Sequence, residues 1–273
     1  GRLLTNKDPN TPPTLIKNHP DVQRMLYYQK SIVEGAIGLL FQCFLWEDYS
    51  KCLEGDAQIE AQILLDLMTP VAKTYPAEQG FLAVNQGLQV LGGYGYTEDF
   101  PLEQMVRDAR IMSIYEGTTG IHGLTLLGRG IPANNGAALQ TLGKLVYADI
   151  AVAKGHESLA KYAGMLEKEL ENLTKVTMHK LGFAMKGEIE VFLADSTLYM
   201  ELFGLITVAW QWLKQGHVAA AALAKGGLSA EDEAFYKDKI HTMKFFFHYE
   251  VPKALGLSKR LLDEEILTIF DHK

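Results

Sequence analysis

Residues 20–53 read PDVQRMLYYQKSIVEGAIGLLFQCFLWEDYSKCL and carry the plainest secondary-structure signal in the chain. Pro20 suits the first position of a helix, and Asp21 places a negative charge in the first turn, where the helix dipole favours it. Apolar side chains then recur with a period near 3.6 residues through most of the segment. The segment therefore predicts one long helix, within which Gly35 and Gly38 predict the close approach of a neighbouring helix.

The placement of proline favours helices over the rest of the chain as well. Four of the nine prolines fall in the first twenty residues, which predicts a loop there, and none occurs from residue 133 to residue 251. Alternating β-branched runs between tight turns, the pattern of a sheet, are not found. We therefore predict an all-α fold, with Pro70 and Pro76 interrupting the second helical region. The further helices are predicted at 57–69, 76–91, 101–109, 118–129, 137–180, 186–215, 217–225 and 229–249.

A change in composition divides the chain into two predicted helical domains. Pro132 and the cluster Asn134-Asn135-Gly136 are typical of a linker. Residues 1–133 are predicted to form part of one helical domain and residues 134–273 a second, additional one. Within the second, the uncharged run 202–213 predicts a buried helix, and Ser229 predicts a helix N-cap.

Composition and charge restrict the class of protein. With 48% hydrophobic and 22% charged residues, the chain can bury a core as a globular protein. Its net charge of -7, without a long basic run, argues against nucleic acid and anionic membranes as partners. No apolar run approaches the about twenty residues of a membrane span. The two cysteines, Cys43 and Cys52, match neither a CxxC pair nor a disulfide framework, which predicts a reduced, cytoplasmic protein.

Residues 89–96, QVLGGYGY, form the first of two segments suited to chemistry. Three glycines within four positions leave backbone amides bare and let a ligand approach closely. The alternative is a helix C-cap followed by a tight turn. The segment is not the dinucleotide-binding fingerprint, because it lacks GxGxxG and no predicted strand precedes it.

Residues 114–120, IYEGTTG, form the second segment, and Glu116 is its candidate catalytic residue. A carboxylate held among apolar and aromatic groups loses hydration and becomes a stronger base, able to take a proton from carbon. The alternative is a solvated glutamate at a helix end. The residues alone leave both interpretations open.

Taken together, the two segments resemble the acyl-CoA dehydrogenase family. The resemblance extends over about residues 15–131 and includes several motifs in the family's order and spacing. It implies a helical bundle of the family's C-terminal type, followed by an additional helical domain that some bacterial members carry. The missing initiator methionine agrees with a chain that begins inside the C-terminal domain. The motifs are IKNHPDV at 16–22, GLQ at 87–89, residues 103–109 and residues 114–120.

The resemblance also implies a reaction and the residues that perform it. Glu116 takes the position of the family's catalytic base, which removes the α-proton of an acyl-CoA thioester while FAD accepts the β-hydrogen as hydride. Tyr115 and Gly117 would lie alongside the thioester. The residues implied to bind FAD are Gln89, Gly92 and Gly93, which would meet the flavin of a neighbouring subunit, and Thr118 at its adenosine end.

Further expectations about partners follow from the same resemblance. It implies a homo-oligomer with shared FAD sites and an electron-transferring flavoprotein as electron acceptor. The isolated chain is expected to fold without retaining FAD, because it lacks the β-domain that clasps the isoalloxazine ring, and therefore to be inactive. One departure concerns Gly120, where many members have glutamine, and it puts the contact on the adenine side in doubt.

Other polar residues are given structural roles. Arg107 and Asp108 are predicted to form an ion pair, and His122 a packed or solvated histidine. His241 and His248, among several aromatic residues, could suggest a metal or aromatic stacking. Because they are two helical turns apart, we predict no metal site and instead a core or interface cluster.

Two other function classes stay open beside the dehydrogenase. The chain could be a non-catalytic helical interaction module of a dehydrogenase-like flavoprotein, although an intact Tyr-Glu-Gly-Thr setting at 115–118 favours the enzyme. An acyl-CoA oxidase would keep the same base and differ mainly in the access of oxygen to the flavin.

Overall fold

The computed structural model describes residues 2–3, 5–6 and 8–269. These residues form helices and no strand, so the prediction of an all-α fold is confirmed. The helices are α1 (Pro20–Cys52), α2 (Gly55–Leu91), α3 (Leu102–Arg110), α4 (Thr119–Thr125), α5 (Ala137–Lys154), α6 (Glu157–Met185), α7 (Ile189–Leu193), α8 (Ser196–Lys225), α9 (Ala230–Tyr249) and α10 (Lys253–Leu261). No helix of the described ranges combines the length and hydropathy needed to cross a bilayer.

Helix α1 confirms the helix predicted from residues 20–53, including Pro20 at its start. The predicted close approach at Gly35 is also confirmed, because α8 packs directly on this position. A Cβ atom at Gly35 would lie 2.6 Å from both Val208 Cγ1 and Trp212 Nε1. The Trp212 indole donates a hydrogen bond of 2.9 Å to the carbonyl oxygen of Ser31, one turn earlier on α1.

Helix α8 is the centre of the bundle. All residues from 202 to 213 are buried, as their uncharged sequence predicts, and the helix contacts α1, α2, α4, α5, α6, α9 and α10. The predicted break near residue 216 is wrong. Gly216 lies inside α8, where the Met243 sulfur of α9 packs so closely that a Cβ would collide with it.

Other predicted boundaries also differ from the structure, and the predicted helix 186–215 is divided between α7 and α8. Helix α2 continues through Pro70 and Pro76, although proline costs a helix about 3 kcal/mol. Buried neighbours such as Met68 and Val71 hold it against the core, so tertiary packing outweighs the local penalty. The predicted helix 137–180 is instead interrupted by Gly155, a poor helix former, at the end of α5.

The predicted helix start at Ser229 is confirmed. The Asp232 amide donates a hydrogen bond of 3.0 Å to the Ser229 hydroxyl, which caps α9. Helix α10 follows α9 after Pro252 and was not predicted.

One continuous hydrophobic cluster includes side chains from both predicted domains. It contains Leu39 and Met68 from residues 1–133 and Trp210 and Phe246 from residues 134–273. The division near residue 133 stays a prediction, because a shared core neither requires nor excludes two units.

Candidate active site

The segment that contains Glu116 is an irregular loop between α3 and α4. A short 3₁₀ turn, Ile111–Ser113, follows α3, and the Thr118 hydroxyl caps α4 by accepting a hydrogen bond of 3.4 Å from the Ile121 amide. Between them Glu116 has φ +50° and Gly117 has φ +96°. A non-glycine residue with positive φ is uncommon, and such residues are enriched at functional sites.

Three side chains outside the loop hold this backbone in place. Lys73 Nζ on α2 donates a hydrogen bond of 2.7 Å to the Gly117 carbonyl oxygen. His122 Nε2 lies 3.2 Å from the Glu116 carbonyl oxygen. The Thr119 hydroxyl donates to the Glu78 carboxylate, also on α2. The loop is therefore tied to the face of α2 that carries Lys73 and Glu78.

Sequence reasoning missed Lys73 and Glu78. They precede the loop by about forty residues and stand in an ordinary helical segment, so no local motif distinguishes them. His122 has a packed role, as expected, since a Cβ atom at Gly117 would lie 2.7 Å from its Nε2. Glycine is necessary at position 117 because of this contact and because the residue has a positive φ.

Of the two interpretations left open for Glu116, the described chain agrees with a solvated carboxylate and not with one enclosed by apolar groups. Glu116 is exposed, and its neighbours Ile114 and Tyr115 are themselves 46% and 47% exposed. The residues that flank it in sequence point to the surface, because the loop lies at the edge of the bundle. Lys73 Nζ is 5.9 Å from the centre of the Tyr115 ring, so a cation lies beside this aromatic side chain of the loop.

The glycine segment ends α2 and presents its backbone to the surface. Gly92 has φ +59° and begins a 3₁₀ turn over Gly92–Tyr96. Gln89, Gly92 and Gly93 are exposed, and a Cβ at either glycine would meet no atom within 4 Å. Gly95 differs, because it is buried and a Cβ there would collide with the Leu88 carbonyl oxygen.

The structure does not bring the two predicted segments together. Glu78, which contacts the Glu116 loop, and Gly92 are fourteen residues apart on α2 and its end, or roughly 21 Å at 1.5 Å per residue. The bare backbone of the glycine turn and the Glu116 loop therefore form two separate surfaces of one chain.

The predicted ion pair between Arg107 and Asp108 is wrong. Arg107 pairs with Glu103, one turn back on α3, at 2.9 Å and not with Asp108, because adjacent residues of a helix point in different directions. At Gly120, the nearest contact of a Cβ would be the Thr118 hydroxyl at 3.9 Å, so the position has room for a larger side chain. Among the described residues, no three His, Cys, Asp or Glu side chains converge to hold a metal ion.

Comparison with known proteins agrees with this architecture. Residues 41–131 match the family model described as acyl-CoA dehydrogenase, C-terminal domain, and residues 140–268 match one described as acetyl-CoA dehydrogenase C-terminal like. The chain therefore belongs to the acyl-CoA dehydrogenase family and corresponds to its C-terminal helical region. The predicted resemblance is confirmed.

Two curated bacterial relatives align over most of the chain. The broad-specificity linear acyl-CoA dehydrogenase FadE5 of Mycobacterium tuberculosis is 30% identical over 98% of this chain and 45% of its own length. The 3-methylmercaptopropionyl-CoA dehydrogenase of Ruegeria pomeroyi is 29% identical over 91% of this chain and 42% of its own. The chain thus spans less than half the length of these relatives.

Two solved structures share the fold at lower identity. Caenorhabditis elegans ACDH-11 in complex with C11-CoA has a TM-score of 0.63 and 22% identity, covering 93% of this chain and 38% of that one. An acyl-CoA dehydrogenase from Bacillus anthracis complexed with FAD has a TM-score of 0.59 and 18% identity, covering 97% and 48%.

Proposed function

We propose that this chain is the C-terminal part of an FAD-dependent acyl-CoA dehydrogenase that desaturates acyl-CoA thioesters, with Glu116 as the base. The observation that carries the proposal is the conformation of the Glu116 loop. The backbone at Glu116 has a positive φ, and the hydrogen bond from Lys73 and the contact of His122 hold the carbonyl groups of this loop in place. A loop held in this way sets the point from which the carboxylate extends, and positioning of the base is what proton abstraction from carbon requires.

In the proposed reaction, the Glu116 carboxylate takes the proton from the α-carbon of the thioester. The chemistry that FAD supplies when bound is acceptance of the hydrogen leaving the β-carbon as hydride, so that a 2,3-enoyl-CoA results. Tyr115 and Gly117 would flank the thioester. Because Glu116 is exposed in this chain, the proposal requires the substrate and other parts of the longer protein to exclude water from it.

The glycine turn fits a flavin held mainly by another subunit. Gln89, Gly92 and Gly93 are exposed, and a Cβ atom at either glycine would meet no atom within 4 Å, so a flat group could approach the backbone. Thr118 would contact the adenosine end, and the electron acceptor would be an electron-transferring flavoprotein. The proposed assembly is a homo-oligomer in which the glycine turn and the Glu116 loop serve different active sites, since Gly92 and Glu78, which contacts the loop, are roughly 21 Å apart along α2.

An exposed apolar row on α1 also supports association within the longer protein. Val33, Ile37, Phe41 and Phe44 follow helical spacing and are 45% to 66% exposed. A row of large apolar side chains of this kind is typical of a surface that another protein segment covers.

The test replaces Glu116 by glutamine in the full-length protein, which keeps the shape of the side chain and removes the base. Bleaching of the oxidised flavin is followed anaerobically on mixing with acyl-CoA. We expect the rate to fall by about ten-thousand-fold or more, at the upper end of general-base contributions, because the α-proton is weakly acidic. Binding of acyl-CoA should be largely retained.

Glu231→Gln is the matched control, since Glu231 is an exposed carboxylate in the first turn of α9. It should bleach like the wild type. If Glu116→Gln bleaches within a few-fold of the wild type, Glu116 is not the base. A wild-type protein that binds flavin and never bleaches would favour the interaction module.

A further inference from the structure

A cavity of about 430 Å³ lies between the start of α1, the first turns of α6 and the second half of α9. Its volume falls in the range of small-molecule pockets. No residue of the Glu116 loop or of the glycine turn lines it, so it is a separate site. His241 and His248, which the proposed reaction does not use, are in its wall.

One wall of the cavity is a surface of aromatic rings. Phe245 and Tyr249 of α9 stack with ring centres 4.3 Å apart and planes 8° from parallel. Tyr27 of α1 lies 5.8 Å from Phe245, and Tyr162 of α6 stands nearly perpendicular to His248 at 5.8 Å. Tyr249 is 54% exposed, so an open ring face is available at the mouth.

The charged side chains around these rings are basic, and Gln23 is a neutral polar side chain among them. Arg24, Lys244, His241 and His248 line the cavity, and none of its described lining side chains is acidic. Lys161 extends the basic edge, with Nζ 3.4 Å from His248 Nε2. A basic lining is notable in a chain whose net charge is -7, because chance placement would favour carboxylates.

Among the nearby carboxylates of the described residues, only Asp21 pairs with a side chain that lines the cavity. Asp21 pairs with Arg24 at 2.8 Å on the solvent side, with 70% of the Asp21 side chain exposed. Asp238 pairs with Lys30, and the buried Glu250 pairs with Lys253. Lys244 makes no ion pair with any residue in the described ranges, so its charge is available to a ligand.

We propose that this basic aromatic cleft (Arg24, Tyr27, Lys244, Phe245, His248 and Tyr249) binds a ligand that joins a flat ring to phosphate groups, of the adenine-nucleotide class. The base would stack on the aromatic wall, and the phosphates would meet Lys244, Arg24 and the histidines. The same chemistry could come from a free nucleotide or from the nucleotide part of a coenzyme A thioester. The inference does not rest on Glu116 or on the proposed reaction.

The test measures binding to the full 273-residue chain by isothermal titration calorimetry. The probes are ADP, adenosine 3′,5′-bisphosphate, coenzyme A, inorganic pyrophosphate and adenosine. We expect one saturable site for the nucleotides, at least about tenfold weaker binding of pyrophosphate and adenosine, and weaker binding as salt is raised. Tighter binding of the bisphosphate and coenzyme A than of ADP assigns the site to a thioester, and the reverse to a free nucleotide.

Two variants locate the site in the cleft. Lys244→Gln should weaken nucleotide binding about tenfold through a lost charged hydrogen bond, and Tyr249→Ala about fivefold or more through lost stacking. Lys237→Gln is the control on the same helix, because Lys237 pairs with Glu233 and does not line the cleft. Circular dichroism confirms that each variant is folded; Tyr249 is exposed, so its variant should fold even if another does not.

Three results would overturn the proposal. They are the absence of saturable nucleotide binding up to about 5 mM, pyrophosphate binding as tight as that of ADP, and wild-type affinity in both cleft variants. Pyrophosphate binding of equal strength would mean a simple anion site without recognition of a base.

Discussion

At the scale of single residues, the backbone of Glu116 carries a cost that packing does not explain. Its φ of +50° lies in the left-handed region, which costs an L-residue about 1–2 kcal/mol. The side chain is exposed and makes no hydrogen bond that would repay the cost within the described chain. A strained backbone that carries an exposed carboxylate is typical of a residue whose position is constrained by function.

Replacing Glu116 by glycine tests this strain in the 273-residue chain. We expect the free energy of unfolding to rise by about 0.5–1 kcal/mol, because relief of the left-handed conformation exceeds the extra entropy of an unfolded glycine. Urea denaturation measures the change. Gly117→Ala is the opposite control, since φ +96° and the His122 contact at 2.7 Å predict a loss of stability. A Glu116→Gly variant less stable than the wild type would mean that the loop is not strained.

At the scale of elements, the end of α2 contains one glycine that packing requires, Gly95, and two that packing does not require, Gly92 and Gly93. Gly95 is buried against the Leu88 carbonyl oxygen, whereas Gly93 faces open space. The turn itself is therefore built by Gly92 and Gly95, and Gly93 is available for another purpose, which we propose to be approach of the flavin.

Alanine substitutions at Gly95 and Gly93 should separate the effect on stability from the effect on FAD binding. Gly95→Ala should lower the free energy of unfolding by about 1–3 kcal/mol, because its Cβ would force the backbone apart. Gly93→Ala should leave stability nearly unchanged, yet weaken retention of FAD in the full-length protein. Thermal unfolding and the flavin content after gel filtration check the two effects. Equal stability of the two variants would contradict this account of the turn.

At the scale of the whole molecule, an ionic cluster around the buried Lys180 joins α6, the start of α8 and α10. Lys180 of α6 is fully buried, and its Nζ lies 3.6 Å from Asp195 Oδ2 at the start of α8, beyond hydrogen-bond distance. Arg260 of α10 approaches the same oxygen at 3.6 Å. Burial lowers the pKa of Lys180, and the neighbouring Asp195 only partly offsets this effect.

The cluster predicts how stability depends on pH. Because the folded-state pKa of Lys180 is lowered, the folded chain binds fewer protons than the unfolded chain between that value and the ordinary lysine value. The contribution of Lys180 to stability is therefore smallest at neutral pH and grows as pH rises through this window. Lys180→Met removes the buried charge and leaves Asp195 beside Arg260, so the variant should be neutral or stabilising at pH 7, and its advantage should shrink toward pH 10.

Asp195→Asn is the complementary variant and should cost about 3–5 kcal/mol at pH 7, because it leaves a buried charge without its counter-ion. Urea denaturation of both variants and the wild type at the two pH values measures these differences. If the advantage of Lys180→Met grew with pH, the predicted direction of the pH dependence of stability would be wrong.

Much of the architecture could be predicted from residues close together in the sequence. The start of α1 at Pro20 and the cap of α9 at Ser229 depend on interactions within about one helical turn, and the uncharged composition of 202–213 is enough to predict that this part of α8 is buried. Local conformational preference and apolar periodicity act over that range. The all-α class and the family resemblance therefore follow from the amino-acid sequence alone.

The rest depended on contacts between residues far apart in the chain. The continuity of α2 through Pro70 and Pro76 and the support of the Glu116 loop by Lys73 both arise from packing across the fold. The exposure of Glu116 and the convergence of α1, α6 and α9 on the cleft around Lys244 arise in the same way. A sequence by itself determines what each segment prefers, whereas burial and long-range hydrogen bonds exist only after the segments meet. Those terms amount to several kcal/mol and so override local preference wherever the two conflict.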